Sequence, residues 1–145
     1  MSDMIPGDQG RLRRILIADP VAGADFVTVQ PDRVRWRIIS LYARLANDAN
    51  AGNRIVRLSI ADGALVLMNI ETSTDSIANE TVNVNFYSGA VAMVSASSRS
   101  MNGALPEKLL LNGGVTITSN TLDLQAGDQF TNIRLYVEEW IEPLV

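Results

Sequence analysis

The feature that most constrains this chain is alternation. From residue 33 to the end, apolar and polar side chains exchange at every second position, and extended helical periodicity is nearly absent. The cleanest case is Thr81-Val82-Asn83-Val84-Asn85-Phe86, where Val82, Val84 and Phe86 point one way and Thr81, Asn83 and Asn85 the other. Near the end, Ile133, Leu135, Val137 and Ile141 share a face with Glu139, opposite Asn132, Arg134, Tyr136, Glu138 and Trp140. In residues 33–45 the pattern changes phase. Val34, Trp36 and Ile38 oppose Arg33, Arg35 and Arg37, and then Ile39, Leu41, Ala43 and Leu45 oppose Ser40, Tyr42 and Arg44. A one-residue slip flips every side chain, so a continuous strand needs a bulge near Ile38-Ile39, unless both faces of one half are covered. The bulge is the preferred reading.

Turn chemistry punctuates these runs. The polar stretch from Asn47 to Asn53 precedes a strand expected from Arg54 to Ile60, and Asp62-Gly63 between Leu58-Ser59-Ile60 and Leu65-Val66-Leu67 is a strong hairpin signal. Asn112-Gly113-Gly114 and Ala126-Gly127-Asp128 mark further turns. Short strands at this spacing predict an all-β jelly-roll sandwich of about eight to ten antiparallel strands. With 145 residues there is room for one core. Residues 1–20 are expected to be an N-terminal arm, flexible over 1–10 and with an edge strand around Ile15-Leu16-Ile17. Residues 21–145 form the sandwich, with weak alternation over 26–30 and a mobile serine-rich loop over 95–103.

The chain has no cysteine and no histidine. That removes disulfides, thiol nucleophiles, thiolate or imidazole metal sites, and Ser-His-Asp or Cys-His catalysis. Carboxylates remain. Glu138 and Glu139 are neighbours on a strand and face opposite sides, so they cannot act as a pair, while Glu138 and Glu142 as strand-end charges solvate the surface or pair with arginine. Asp48, Asn50 and Asn53 faintly resemble a calcium loop, but one carboxylate and no closing glutamate favour an ordinary polar turn. No catalytic, cofactor-binding or metal residue is therefore assigned. Asn79-Glu80-Thr81 matches a glycosylation triplet, which is a chance match if no secretory signal precedes it. No apolar run reaches the ~20 residues of a membrane span, so no membrane partner is expected.

Basicity is nearly all arginine, eleven against the single Lys108, on a chain of net charge −4. Arg33, Arg35 and Arg37 form a one-sided stripe, and Arg11, Arg13 and Arg14 a second cluster. Such a stripe is either a solvated strand face or a docking surface for an acidic partner, where forked guanidinium–carboxylate pairs fix register. Nucleic acid is disfavoured by the acidic total. Trp36, Tyr42, Tyr87, Tyr136 and Trp140 are the rings available for a sugar platform, which leaves a glycan partner open.

Several segments together resemble a known family. They are Val34-Arg35-Trp36-Arg37-Ile38-Ile39-Ser40-Leu41, Gly52-Asn53-Arg54-Ile55-Val56-Arg57-Leu58, Asp62-Gly63, Leu109-Leu110-Leu111, and the ending Ala126-Gly127-Asp128-Gln129 through Glu138-Glu139-Trp140-Ile141. This order is similar to the jelly-roll cement, or capsid-decoration, proteins of tailed bacteriophages, over about residues 30–142. The resemblance implies a homo-oligomer, dimer or trimer, on the outer capsid of a virion, made in the host cytoplasm and bridging subunits of the major capsid protein. It equally fits a head fibre or tail appendage that binds a glycan or receptor. It implies no catalytic residues.

Overall fold

Alternation buries one face of each strand, and the chain satisfies it by zipping two sheets together. In the computed structural model, which describes residues 10–90 and 99–141, the strands are β1 (Arg11–Leu16), β2 (Val27–Val29), β3 (Val34–Ala46), β4 (Arg57–Asp62) and β5 (Leu65–Glu71), then β6 (Thr81–Ser88), β7 (Ser100–Leu105), β8 (Leu110–Leu111), β9 (Thr116–Ser119) and β10 (Gln129–Ile141). The larger sheet runs β1-β10-β3-β6-β7, with β8 beside β3, and the smaller runs β2-β9-β4-β5. Leaving aside β7 and β8, the chain crosses between sheets in jelly-roll order, and its first strand pairs with its last.

The bulge expected near Ile38-Ile39 is present. Val137 pairs with Ile38 and Tyr136 with Ser40, which leaves Ile39 unopposed. Trp36, Ile38, Leu41, Ala43 and Leu45 are thereby all buried. A second bulge lies in β10. Thr131 pairs with Arg44 and Arg134 with Tyr42, so Asn132 and Ile133 oppose Ala43 alone, and Asn132 takes φ +54°. This irregularity lets Phe130 and Ile133, three residues apart, both reach the core. Phe130 meets Phe26 edge to face with ring centroids 5.2 Å apart.

Three expectations need correction. Every ladder is antiparallel apart from β6–β7, which is parallel and sets Asn83 beside Ser100, because the chain returns to the start of β6 before forming β7. Ser100 to Gly103 therefore belong to a strand, not a loop, while residues 95–98 lie outside the described set. The strand expected from Arg54 begins only at Arg57, since Arg54 and Ile55 make isolated bridges to Ser76 and Leu122. The arm expected over residues 1–10 lies outside the described residues, save Gly10, whose N–H donates to Glu138 Oε1 at 3.0 Å. The edge strand beyond it is β1, and Ile17 after it is buried.

Candidate docking surfaces

The six arginines singled out from sequence meet different fates. Alternation along β1 turns Arg11 and Arg13 toward the same side as Glu139 and Val137 of β10, and turns Leu12, Arg14 and Leu16 outward. Glu139, 4% exposed, is a carboxylate on a core-facing position and needs donors. The Trp36 indole N–H donates to it at 2.9 Å, Arg13 reaches both its oxygens at 3.0 and 3.1 Å, and Arg11 lies 3.5 Å away. Burial opposes ionisation of Glu139, but the Trp36 and Arg13 hydrogen bonds and the two guanidinium charges outweigh it and hold the carboxyl below its ordinary value. On the outer face Arg37 pairs with Glu138. Arg35, exposed there, is engaged as well. Arg33 is not part of the stripe. It sits before β3 in a turn at φ +65°, and with Arg11, Arg13, Asp32, Glu139 and Ile141 it lines a shallow depression of three bases and two acids.

Arg14 and Arg33 alone of the six have no hydrogen bond or ion pair among the described residues, and both are exposed, but only Arg14 stands on a strand of the outer face. The fold gives it company that the sequence reading missed. In one row across the larger sheet, Arg14 pairs with Tyr136, Tyr136 with Ser40, and Ser40 with Tyr87. In the next row Leu16 pairs with Arg134, Arg134 with Tyr42, and Tyr42 with Asn85. Arg44 beside Asn83 follows. An arginine thus stands directly opposite a tyrosine in both rows of an outward face, within reach of one bound group. Arg14, Ser40, Tyr42, Arg134 and Tyr136 line a shallow groove there. Like Arg14, Arg44 and Arg134 are exposed and without an internal partner among the described residues. Tyr42 Oη donates to Asn83 Oδ1 at 2.9 Å, which fixes its ring on this face.

The segments that carry the family likeness meet inside the molecule. Arg54 of Gly52-Asn53-Arg54 is fully buried, and all five of its N–H groups are used. Two go to Asp128 of Ala126-Gly127-Asp128 at 2.9 and 3.0 Å, one to Asp48 at 2.8 Å, and two to the carbonyls of Asn50 and Gly52 at 2.9 and 2.8 Å. Asp128 also accepts the backbone N–H of Asp48 and of Gln125, both at 2.8 Å. Burial raises the Asp128 pKa, but the Arg54 hydrogen bond and these N–H donors more than reverse it, so the net direction is downward. Gly127 is required here: a Cβ would lie 2.7 Å from Asp48 Oδ2, which accepts the Gly127 N–H at 3.0 Å. The faintly calcium-like loop is one wall of this clamp, with its single carboxylate, Asp48, turned to Arg54, Asn50 and Gly127. Among the described residues no group of three or more acidic side chains is placed to hold a metal.

Of the rings considered for a sugar platform, Trp36 is 2% exposed and bound to Glu139, and Trp140 is half-buried beside Arg37, Lys108, Leu110 and Glu138. Tyr42 and Tyr136 share the groove with Arg14 and Arg134. Glu138 and Glu139 face opposite sides, as alternation requires, and Glu142 lies outside the described residues. No family model and no curated protein matches the chain. Among solved structures, one described as the structure of PfGH50B aligns with 94% of the chain at 10% identity and a TM-score of 0.39, and the chain spans 23% of that protein's length.

Proposed function

We propose that this protein is a virion structural component that decorates and cements a bacteriophage capsid, using the outer face of its larger sheet to grip an acidic surface of the major capsid protein. The observation behind this reading is the triad Arg14, Arg44 and Arg134: exposed, on one rigid face, and without internal partners among the described residues, while Arg11, Arg13, Arg37 and Arg54 are neutralised inside the chain. The planar guanidinium fork is pre-organised, so it loses less entropy per hydrogen bond to a carboxylate, and symmetric repetition over a lattice turns modest contacts into avidity. Of the docking set proposed from sequence, Arg14 remains on this face and is joined by Arg44 and Arg134, while Arg33, also unpaired, lies off it in the turn before β3. Replacing these three with serine is expected to abolish co-sedimentation with undecorated capsids while leaving circular dichroism unchanged. Undiminished co-sedimentation would overturn the assignment. A glycan-binding appendage is the second reading, favoured by Tyr42 and Tyr136 in the groove. Glycan-array binding that is lost on Tyr136→Ala, with capsids ignored, would move the assignment there.

A further inference from the structure

Each sheet edge is a row of unsatisfied backbone groups that invites another strand, and proteins blunt such edges with charge, shortness or cover. In the larger sheet, β1 carries Arg11, Arg13 and Arg14. At the opposite side β7 is largely buried, and Asn102 O accepts the Ser73 N–H at 2.8 Å; β8 is two residues long. In the smaller sheet, β2 is three residues long. The edge formed by β5 is less protected: its blunting is a bulge at Leu67, unopposed between the Ile60–Met68 and Ala61–Val66 pairs, and, at its far end, Glu71 with the nearby backbone of β7. It is seven residues long and pairs with β4 on one side and with no strand on the other among the described residues. Residues 65–70, Leu-Val-Leu-Met-Asn-Ile, contain no charge, glycine or proline. Leu65, Val66 and Leu67 are 66%, 52% and 50% exposed.

We infer that β5 is a self-association edge, pairing antiparallel across a twofold axis with β5 of a second copy. Charge selects the occupant. Copies of a chain with net charge −4 repel, and the uncharged strip is where identical chains meet without apposing like charges. A twofold pair centred on Val66 sets Leu65 of one copy against Leu67 of the other, apolar against apolar. Of the acids flanking the strip, Glu71 is already paired with Arg57 at 2.6 Å. Area sets the strength. Three aliphatic side chains and a few backbone bonds cover on the order of a few hundred Å² per partner, well under the roughly 800 Å² of a stable interface. The free protein therefore dimerises only at high concentration, and closely when copies are held side by side. This edge lies on the sheet opposite the arginine face, so the inference does not depend on what that face binds.

Sedimentation velocity from about 10 µM to about 1 mM brackets the affinity such a small contact supports. The full chain is expected to move from monomer toward dimer over this range, and the Leu65→Lys/Leu67→Lys variant to stay monomeric throughout. Both positions are exposed, so the variant keeps its circular dichroism and melting temperature. Hydrogen exchange at high concentration should slow at the outward amides of residues 65–69. A wild-type monomer at every concentration, a variant that dimerises equally well, or slowing at β1 or β2 instead would overturn the inference.

Discussion

Arg54 is the residue whose chemistry is most completely specified, because every one of its five donors has a named acceptor in a dry environment. Removing one partner of a buried ion pair leaves the other charge unpaired, which costs about 3–5 kcal/mol. Arg54→Met is expected to lower stability by that order in urea unfolding, and Arg54→Lys to recover only part of it, since an ammonium cannot reproduce the planar fork. Stability of the lysine variant equal to wild type would mean that the fork is unnecessary. The ends of this clamp were legible as separate turn motifs. Their meeting was not, because Arg54 and Asp128 are 74 positions apart and no local pattern encodes a pairing at that range. Glu139 is similar. Its core-facing parity could be read from the alternation, but its partners Arg11 and Arg13 had been grouped with Arg14 as a docking cluster, because strand β1 was not yet paired with β10.

At the scale of elements, the two long central strands keep their apolar sides inward only through their bulges. The β3 bulge was readable because two apolar runs stand out of phase within one uninterrupted segment. The β10 bulge was hidden, since Phe130 falls before the alternating run and nothing but an asparagine marks the break. Asn132 tolerates its left-handed backbone, whereas a β-branched residue there is strained by about 1–2 kcal/mol. Asn132→Val should therefore lower the urea midpoint measurably, and Asn132→Gly should barely move it. Equal effects would show that the backbone conformation is not what selects asparagine. The parallel strand β7 was misread because serine and glycine look like loop residues. Gly103 is needed there because a Cβ would run into the Phe86 ring, and that close backbone approach is a contact the local sequence does not announce.

At the scale of the molecule, stability should depend on pH through the two depressed carboxyls. A carboxyl whose folded pKa is lowered binds protons more readily when unfolded, so its stabilisation is complete above the unfolded values of 3.8 for Asp128 and 4.5 for Glu139 and is lost as pH falls through the lower folded ones. The urea midpoint should be flat near neutrality and fall below about pH 4.5, with the slope reduced in Asp128→Asn and Glu139→Gln, whose midpoints start lower. An unchanged slope in both variants would place the acid sensitivity elsewhere. The sandwich itself was legible from alternation and turns. The arginine face was not, because Arg14, Arg44 and Arg134 come from three strands that only the sheet order makes neighbours. That same order has a consequence for biosynthesis. Among the described strands β1 is made first and its ladder partner β10 last, so β1 must wait, unpaired, until β10 has emerged from the ribosome. Its arginines then keep a nascent edge soluble long before they neutralise Glu139.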